Sequence, residues 1–174
     1  PSPDGKFLAY LGFDDELKGY ANTRLYLRTL SNATTKCLTC DFDRDVEAVA
    51  WTASGLVISY TSEGETYVER IDMNGKRSGL VSGIGGLSIG RPYSGGAYSV
   101  SDNGTVAYTL ASTEFPADLA VKQPGQPMKR LTHVNDDLFS YRSLGKVEMI
   151  RYPSSYDQQQ IQGWIVYPPD FDAS

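Results

Sequence analysis

Apolar and polar residues alternate over short runs along the chain, and each run has the length of one β-strand. Turn residues separate the runs, and no long stretch shows the period of an amphipathic helix. The best strand signals are FLAYLGF (7–13), TRLYLRTL (23–30), VEAVAW (46–51), LVISY (56–60), TYVERIDM (66–73), TVAYTLA (105–111) and VEMIRY (147–152). Enrichment in Tyr and β-branched residues fits such segments. The pattern therefore predicts an all-β chain.

Three of these segments repeat one phrase: a polar turn that ends in Gly, followed by an apolar strand that ends in Tyr. The copies are SPDGKFLAY (2–10), TASGLVISY (52–60) and VSDNGTVAY (100–108). Their glycines, Gly5, Gly55 and Gly104, lie 50 and 49 residues apart. Self-similarity at a fixed period of this size is the signature of a repeat architecture.

Each repeat holds about four short strands, which is the composition of a β-propeller blade. After the Gly-to-Tyr strand come a second strand signal and a basic, Leu-containing element: KCLT (36–39), KRSGLV (76–81) and KRLT (129–132). VEAVAW and RPYSGGAYSV (91–100) precede the second and third turns. We expect about three four-stranded blades, the first without its innermost strand. Because closed propellers have at least four blades, we expect a partial propeller.

Composition and charge narrow the function classes. The chain has 174 residues, 40% hydrophobic and 21% charged, with a net charge of −5. Its 16 Lys and Arg form no basic stripe, so we expect no nucleic acid partner. No window approaches the roughly 18 apolar residues of a spanning helix, so we expect no membrane partner. The compartment stays open between cytoplasmic and periplasmic or secreted.

The stretch GLSIG (86–90) has the spacing of a nucleophile elbow around Ser88. Asp102, Asp118 and His133, the only histidine, follow it in the order of an α/β-hydrolase triad. An elbow also needs a firm apolar strand before the serine and a helix after it. Here the glycine-rich SGLVSGIGGL directly precedes Ser88, and Arg-Pro-Tyr-Ser-Gly-Gly follows Gly90. We therefore interpret Ser88 as a loop residue and His133 as a packing or hydrogen-bonding residue, and expect no catalytic residue in this chain.

Two other motifs resemble metal-binding sequences, but a structural role explains each of them better. Cys37 and Cys40 form a single CxxC without a second ligand pair, which favours two free thiols over a local disulfide and disfavours a metal site. The run DFDRDVEAV (41–49) alternates Asp41, Asp43 and Asp45, but it lacks the Gly and Glu of an EF-hand loop. We expect a solvated loop there, and neither a metal nor a cofactor.

Two segments fit the N-glycosylation pattern: Asn32-Ala33-Thr34 and Asn103-Gly104-Thr105. The pattern is common by chance and has meaning only in a glycosylating secretory pathway. Its second copy is already explained by the turn that contains Asn103.

The tail RLTHVNDDLFSYRSLGKVEMIRYPSSYDQQQIQGWIVYPPDF (130–171) resembles the domain junction of prolyl-oligopeptidase-like serine peptidases, on their acylaminoacyl-peptidase and dipeptidyl-peptidase side. The matching phrases are Arg130-Leu131-Thr132-His133 with Asn135, and Ile161, Gly163-Trp164, Pro168-Pro169 and Phe171. The resemblance implies a propeller cap followed by an α/β-hydrolase domain whose Ser-Asp-His triad lies after this hairpin.

The resemblance implies that residues 1–143 are C-terminal propeller blades, and that residues 144–174 are the linker strand and first hairpin of the hydrolase domain. The expected role is non-catalytic: to cap the active site and restrict access to short peptides. Expected partners are peptide substrates and the hydrolase domain of the same chain, and a homo-oligomer is compatible with the sequence. The alternative is a non-enzymatic propeller that binds a protein partner, which leaves the tail unexplained.

Overall fold

The fold, described from a computed structural model for residues 1–86 and 95–172, is almost entirely β. The strands are β1 (Phe7–Gly12), β2 (Arg24–Thr29), β3 (Thr35–Cys37), β4 (Ala48–Thr52), β5 (Gly55–Ser62), β6 (Glu65–Ile71), β7 (Arg77–Ile84), β8 (Tyr98–Val100), β9 (Val106–Leu110), β10 (Asp118–Lys122), β11 (Lys129–Arg130), β12 (Val147–Pro153) and β13 (Gln160–Val166). One short helix, α1, spans Asp136–Phe139. The all-β prediction is confirmed.

The strands pair antiparallel with their sequence neighbours. β1, β2 and β3 form the first sheet, and β12 pairs with β13 in a terminal hairpin. Between them, β4–β7 form a second meander and β8–β11 a third, which a single pairing of Ile84 with Leu110 joins into one eight-stranded sheet. Along the chain, a three-stranded sheet is therefore followed by two four-stranded meanders and a terminal hairpin.

The first and third copies of the repeated turn use the same hydrogen bonds. The Ser2 hydroxyl donates to Oδ1 of Asp4 at 2.7 Å, and the Ser101 hydroxyl donates to Oδ1 of Asn103 at 2.6 Å. The same two oxygens accept from the amides of Lys6 and Thr105, at 3.1 and 3.0 Å. Gly5 and Gly104 have φ of 67° and 82°, in the region that glycine enters without steric cost. The turn chemistry inferred from the repeat thus appears twice in almost the same form.

Strand β5 is buried on both of its faces. Leu56, Ile58 and Tyr60 pack into a first core against Leu25 and Leu27 of the first sheet. Because alternate residues of a strand point to opposite faces, Val57 enters a second core with Val68, Val106, Tyr108 and Ala120. The second meander is therefore packed between the first sheet and the third meander.

The preference for free thiols at Cys37 and Cys40 was wrong, because the two form a disulfide. Their Cα atoms are 5.7 Å apart, within the range that a disulfide can bridge. Strand β3 ends at Cys37 and the chain turns there, which brings together two side chains that an extended strand would separate. The turn places Leu38 in the first core and lets the Thr39 hydroxyl accept from the amide of Leu25 at 2.8 Å.

The sequence predicted the positions of most strands, but it was less accurate about where the strands begin and end. RPYSGGAYSV contributes only β8, and its residues 91–94 lie outside the described part of the chain. The short α1 had no sequence prediction. Within residues 1–86 and 95–172, no helix has the length and apolarity to cross a membrane.

Truncation on either face of β5 should destabilise the fold. Ile58 and Val57 are both fully buried, in different cores. We expect Ile58→Ala to lower the free energy of unfolding by about 2–5 kcal/mol, with a similar or somewhat smaller effect for Val57→Ala. Urea unfolding measures both, with Thr61→Ala on the exposed end of the same strand as the control. A normal stability for either core variant would contradict two-sided packing.

Candidate functional site

A cleft of about 1230 Å³ opens at the end of the sheets where β5 turns into β6. Its walls come from the β5–β6 turn, the end of β7, the loop between β9 and β10, α1 and the terminal hairpin. The lining residues are Glu47, Thr61, Glu63, Gly64, Glu65, Thr66, Gly83, Ile84, Gly85, Gly86, Gly95, Ala111, Ser112, Thr113, Glu114, Phe115, Pro116, Phe139, Leu144 and Trp164. The sequence contained no motif for this site, because its walls come from many separated segments of the chain.

The cleft combines carboxylates with apolar and aromatic surface. Glu47, Glu63, Glu65 and Glu114 line it together with Phe115 and the other apolar residues. No Lys or Arg is among the described residues that line it. The cleft therefore presents a negative charge, which attracts cationic groups and repels anionic ones.

The terminal hairpin contacts the β5–β6 turn at the rim of this cleft. Arg151 forms an ion pair with Glu63. The ring of Trp164 lies over Gly64, where an added Cβ would be only 2.9 Å from the indole. Gly64 has φ of 79°, so both its conformation and the indole favour glycine at this position.

The strand register explains why both contacts occur together. In the hairpin, Arg151 pairs with Gln162 and Met149 pairs with Trp164. Because these pairs are two residues apart, their side chains lie on one face of the hairpin. That face is turned toward Glu63 and Gly64.

Asp118 is the best-connected buried carboxylate in the described residues. Its Oδ1 accepts from the hydroxyl of Thr132 at 2.7 Å and from the amide of Val134 at 3.1 Å, while its Oδ2 accepts from Nε of Arg130 at 2.7 Å. The Thr132 hydrogen bond, followed by the Val134 and Arg130 contacts, lowers the pKa of Asp118 below its ordinary value of 3.8. The Arg-Leu-Thr phrase thus closes around the first residue of β10.

This network extends to the cleft through Arg130. The Arg130 guanidinium also binds Asp136 and lies 4.3 Å from the centre of the Phe115 ring. Asp136 in turn contacts Nδ1 of His133 at 2.8 Å. The Arg130 hydrogen bond, with a smaller contribution from His133, lowers the pKa of Asp136. The network therefore holds α1 and the Phe115 wall of the cleft.

The structure does not assemble the residues that follow Ser88 into a triad. Asp118 is occupied by Thr132, Val134 and Arg130, and His133 pairs with Asp136 instead. Asp102 accepts from the amide of Ala53 at 3.1 Å and so joins the second and third repeated turns. Ser88 itself lies outside the described residues.

The acidic loop after β3 uses its carboxylates within the protein. Asp45 accepts from the amide of Thr23 at 2.7 Å and from the hydroxyl of Tyr20, and Asp43 accepts from Asn22 at 3.1 Å. These bonds tie the loop to the segment between β1 and β2. In the described part of the chain, no three His, Cys, Asp or Glu residues are placed to hold a metal ion.

Comparison with known proteins gives relatives along almost the whole chain. The dipeptidyl-peptidases 5 of Trichophyton schoenleinii and Arthroderma benhamiae are each 26% identical over 178 residues, covering 98% of this chain. The chain spans about a quarter of their length, 23% in each case. No family model matches the chain.

Solved structures share the fold. The uncomplexed acylaminoacyl peptidase of Pyrococcus horikoshii superposes with a TM-score of 0.66 at 17% identity, covering 97% of this chain and 25% of that one. A variant of the AtxE2 isopeptidase with astexin3-dC4 bound gives a TM-score of 0.70 at 18% identity, covering 99% of this chain and 26% of that one. The resemblance to prolyl-oligopeptidase-like peptidases is confirmed.

Stability should fall in acid because of the Asp118 network. A carboxylate whose pKa is lowered in the folded state stabilises it above the ordinary pKa and loses that contribution as pH falls. The pKa values of Asp118 and Asp136 are both lowered, so the loss should begin near pH 4 (about the ordinary carboxyl value) and continue below it.

Asp118→Asn should remove part of this acid dependence and lower stability at neutral pH, because Arg130 loses its buried partner. Urea midpoints across a pH series measure both effects. Glu114→Gln, which removes an exposed carboxylate of the cleft, is the control and should keep the acid dependence of the unaltered protein. Equal acid dependence in Asp118→Asn and the unaltered protein would contradict the assigned role.

Proposed function

We propose that this chain, which resembles the prolyl-oligopeptidase-like serine peptidases, is a non-catalytic segment of a peptidase of the acylaminoacyl-peptidase or dipeptidyl-peptidase type. In this proposal residues 1–143 are C-terminal blades of a β-propeller. Residues 144–174 are the linker strand and first hairpin of the hydrolase domain. The segment caps the active site and restricts access to short peptides.

The sheet arrangement supports the blade assignment. Two four-stranded meanders follow each other in the chain, have equivalent turns between their first and second strands, and share a core. Strands β1, β2 and β3 then correspond to the second, third and fourth strands of a preceding blade. Such units bury their faces only by stacking on one another.

The face of the first sheet that points away from the first core supports further stacking. Tyr10 and Tyr26 stack on that face with ring centroids 5.4 Å apart. The Tyr26 hydroxyl is buried and has no hydrogen-bond partner among the described residues. In this proposal, the sheet of another blade covers these aromatic rings and supplies the hydroxyl with a partner.

The contact between the hairpin and the β5–β6 turn is the observation that carries the capping role. Trp164 and Arg151 seat the entry hairpin of the hydrolase domain on the rim of the cleft. The hydrolase domain that follows this hairpin in the resembling family would therefore face the cleft. A peptide that reaches the active site would pass between the two.

The volume of the cleft supports selection by peptide length. A cleft of about 1230 Å³ holds a stretch of extended peptide. A folded domain of about 100 residues has a radius of gyration of about 13 Å, so it is too large to enter. Substrates would be short or unfolded chains.

Weakening the contact between the terminal hairpin and the β5–β6 turn should reduce the preference for short peptides in the full-length protein. Arg151→Gln removes an exposed ion pair of about 0.2–1 kcal/mol, so we expect kcat/KM for long peptides to rise by about 1.4-fold to fivefold relative to short ones. Trp164→Ala should act in the same direction, because it uncovers Gly64. Steady-state cleavage of a peptide series with one cleavage site and increasing length measures the effect.

Glu148→Gln is the matched control, because Glu148 lies on the other face of the same hairpin and contacts Lys146. It should leave the length preference unchanged. Reversing the pair with Glu63→Arg and Arg151→Glu together should restore the original preference. An unchanged length preference in Trp164→Ala and Arg151→Gln would count against the capping role.

A further inference from the structure

The turn between β2 and β3 exposes an unbroken run of residues, 30–36, at the edge of the first sheet. This run contains Asn32-Ala33-Thr34, an acceptor sequence for N-linked glycans. Neither the cleft nor the Asp118 network involves it. Any role of this run is therefore independent of the cleft and of the Asp118 network.

The local geometry presents the Asn32 side chain in a defined way. Oδ1 of Asn32 accepts from the amide of Thr34 at 3.1 Å and from the hydroxyl of Thr34 at 2.8 Å. Ala33 has φ of 59°, which closes the turn, and the Thr34 carbonyl accepts from the amide of Thr29 at 2.8 Å. The two bonds to Oδ1 fix the Asn32 side chain, and the residue is exposed.

The second acceptor sequence, at Asn103, has the same amide hydrogen bond but differs in its hydroxyl partner and in the burial of its middle residue. Oδ1 of Asn103 accepts from the hydroxyl of Ser101 at 2.6 Å and from the amide of Thr105 at 3.0 Å, so a different hydroxyl takes the place of the threonine. Gly104 is buried, and Nη2 of Arg70 lies 2.9 Å from the position of its missing Cβ. Asn103 thus belongs to a compact structural turn.

The Asn32 turn lies at the end of the sheets opposite the cleft. The amide of Leu30 donates to the carbonyl of Lys6 at 2.9 Å, beside the first repeated turn. Lys36 donates to the carbonyl of Met73, in the β6–β7 turn, at 3.0 Å. That turn and the β5–β6 turn at the cleft lie at opposite ends of β6. A glycan on Asn32 would therefore leave the cleft and the hairpin open.

The disulfide provides independent support from the same strand. Cys37, at the end of β3, is joined to Cys40. Disulfides form and persist in oxidising compartments such as the secretory pathway, and N-glycans are added in that pathway. The disulfide at the end of β3 and a glycan on the turn before β3 would therefore form in the same compartment.

We propose that Asn32 is N-glycosylated and that Asn103 is not. In the reaction, Nδ2 of Asn32 bonds to the anomeric carbon of an oligosaccharide carried on a lipid diphosphate. The bond between that carbon and the diphosphate oxygen breaks, the lipid diphosphate leaves, and one amide proton passes to a base of the transferase. The product is an amide-linked glycan on the edge of the first sheet.

Peptide mapping of the full-length protein from its own source tests the proposal. Trypsin cleaves after Arg28 and Lys36 and so releases residues 29–36, which contain Asn32 as the only asparagine. Treatment with a glycan-releasing amidase in heavy-oxygen water converts a glycosylated Asn to labelled Asp. We expect the label on Asn32 and none on Asn103.

Variants expressed in the same source separate glycosylation from folding. Thr34→Ala should abolish the label, and Thr34→Ser should retain it, since serine keeps the hydroxyl. Asn103→Gln should leave the label on Asn32 unchanged. An unmodified 29–36 peptide from the unaltered protein would overturn the proposal, whatever the oxidation state of Cys37 and Cys40, and so would a label on Asn103.

Discussion

The need to cover both faces of every sheet determines most of this structure. Strand β5 places Ile58 in one core and Val57 in the other, so the second meander is stable only with a sheet on each side. The same requirement explains the repeated period, because each unit offers its neighbour an equivalent apolar face. Burial at roughly 25 cal/mol per Å² of apolar surface then favours stacking over isolated sheets.

Stacking in this manner leaves the ends of the sheets to form the candidate functional surface. The β5–β6 turn projects from the second meander, and the loop between β9 and β10 projects from the third. Between them lies the cleft, with the terminal hairpin at its rim. The Asp118 network stabilises one wall by linking β10, β11 and α1 through Arg130. Stacked sheets thus position loops and turns at their ends, where binding residues are common in proteins.

The sequence predicted the repeated elements because their signals are local. Alternation located β5 and β6, and the spacing of Gly5, Gly55 and Gly104 located the turns. The cleft could not be predicted, because Glu63, Phe115 and Trp164 come together only through stacking and through the hairpin contact. The disulfide was misjudged because it depends on a turn after Cys37 that the strand pattern does not encode. Short motifs were the least informative, since the triad order of Asp118 and His133 coincides with two separate structural roles.

In the proposed function, this segment shapes access to an active site whose nucleophile lies elsewhere in a serine peptidase. Labelling of the full-length protein with a fluorophosphonate, followed by mass-spectrometric mapping of the modified serine, tests it most directly. The account predicts one labelled serine outside residues 1–174, in the part of the relatives that this chain does not cover. A label on Ser88, or on any other serine of this segment, would contradict it.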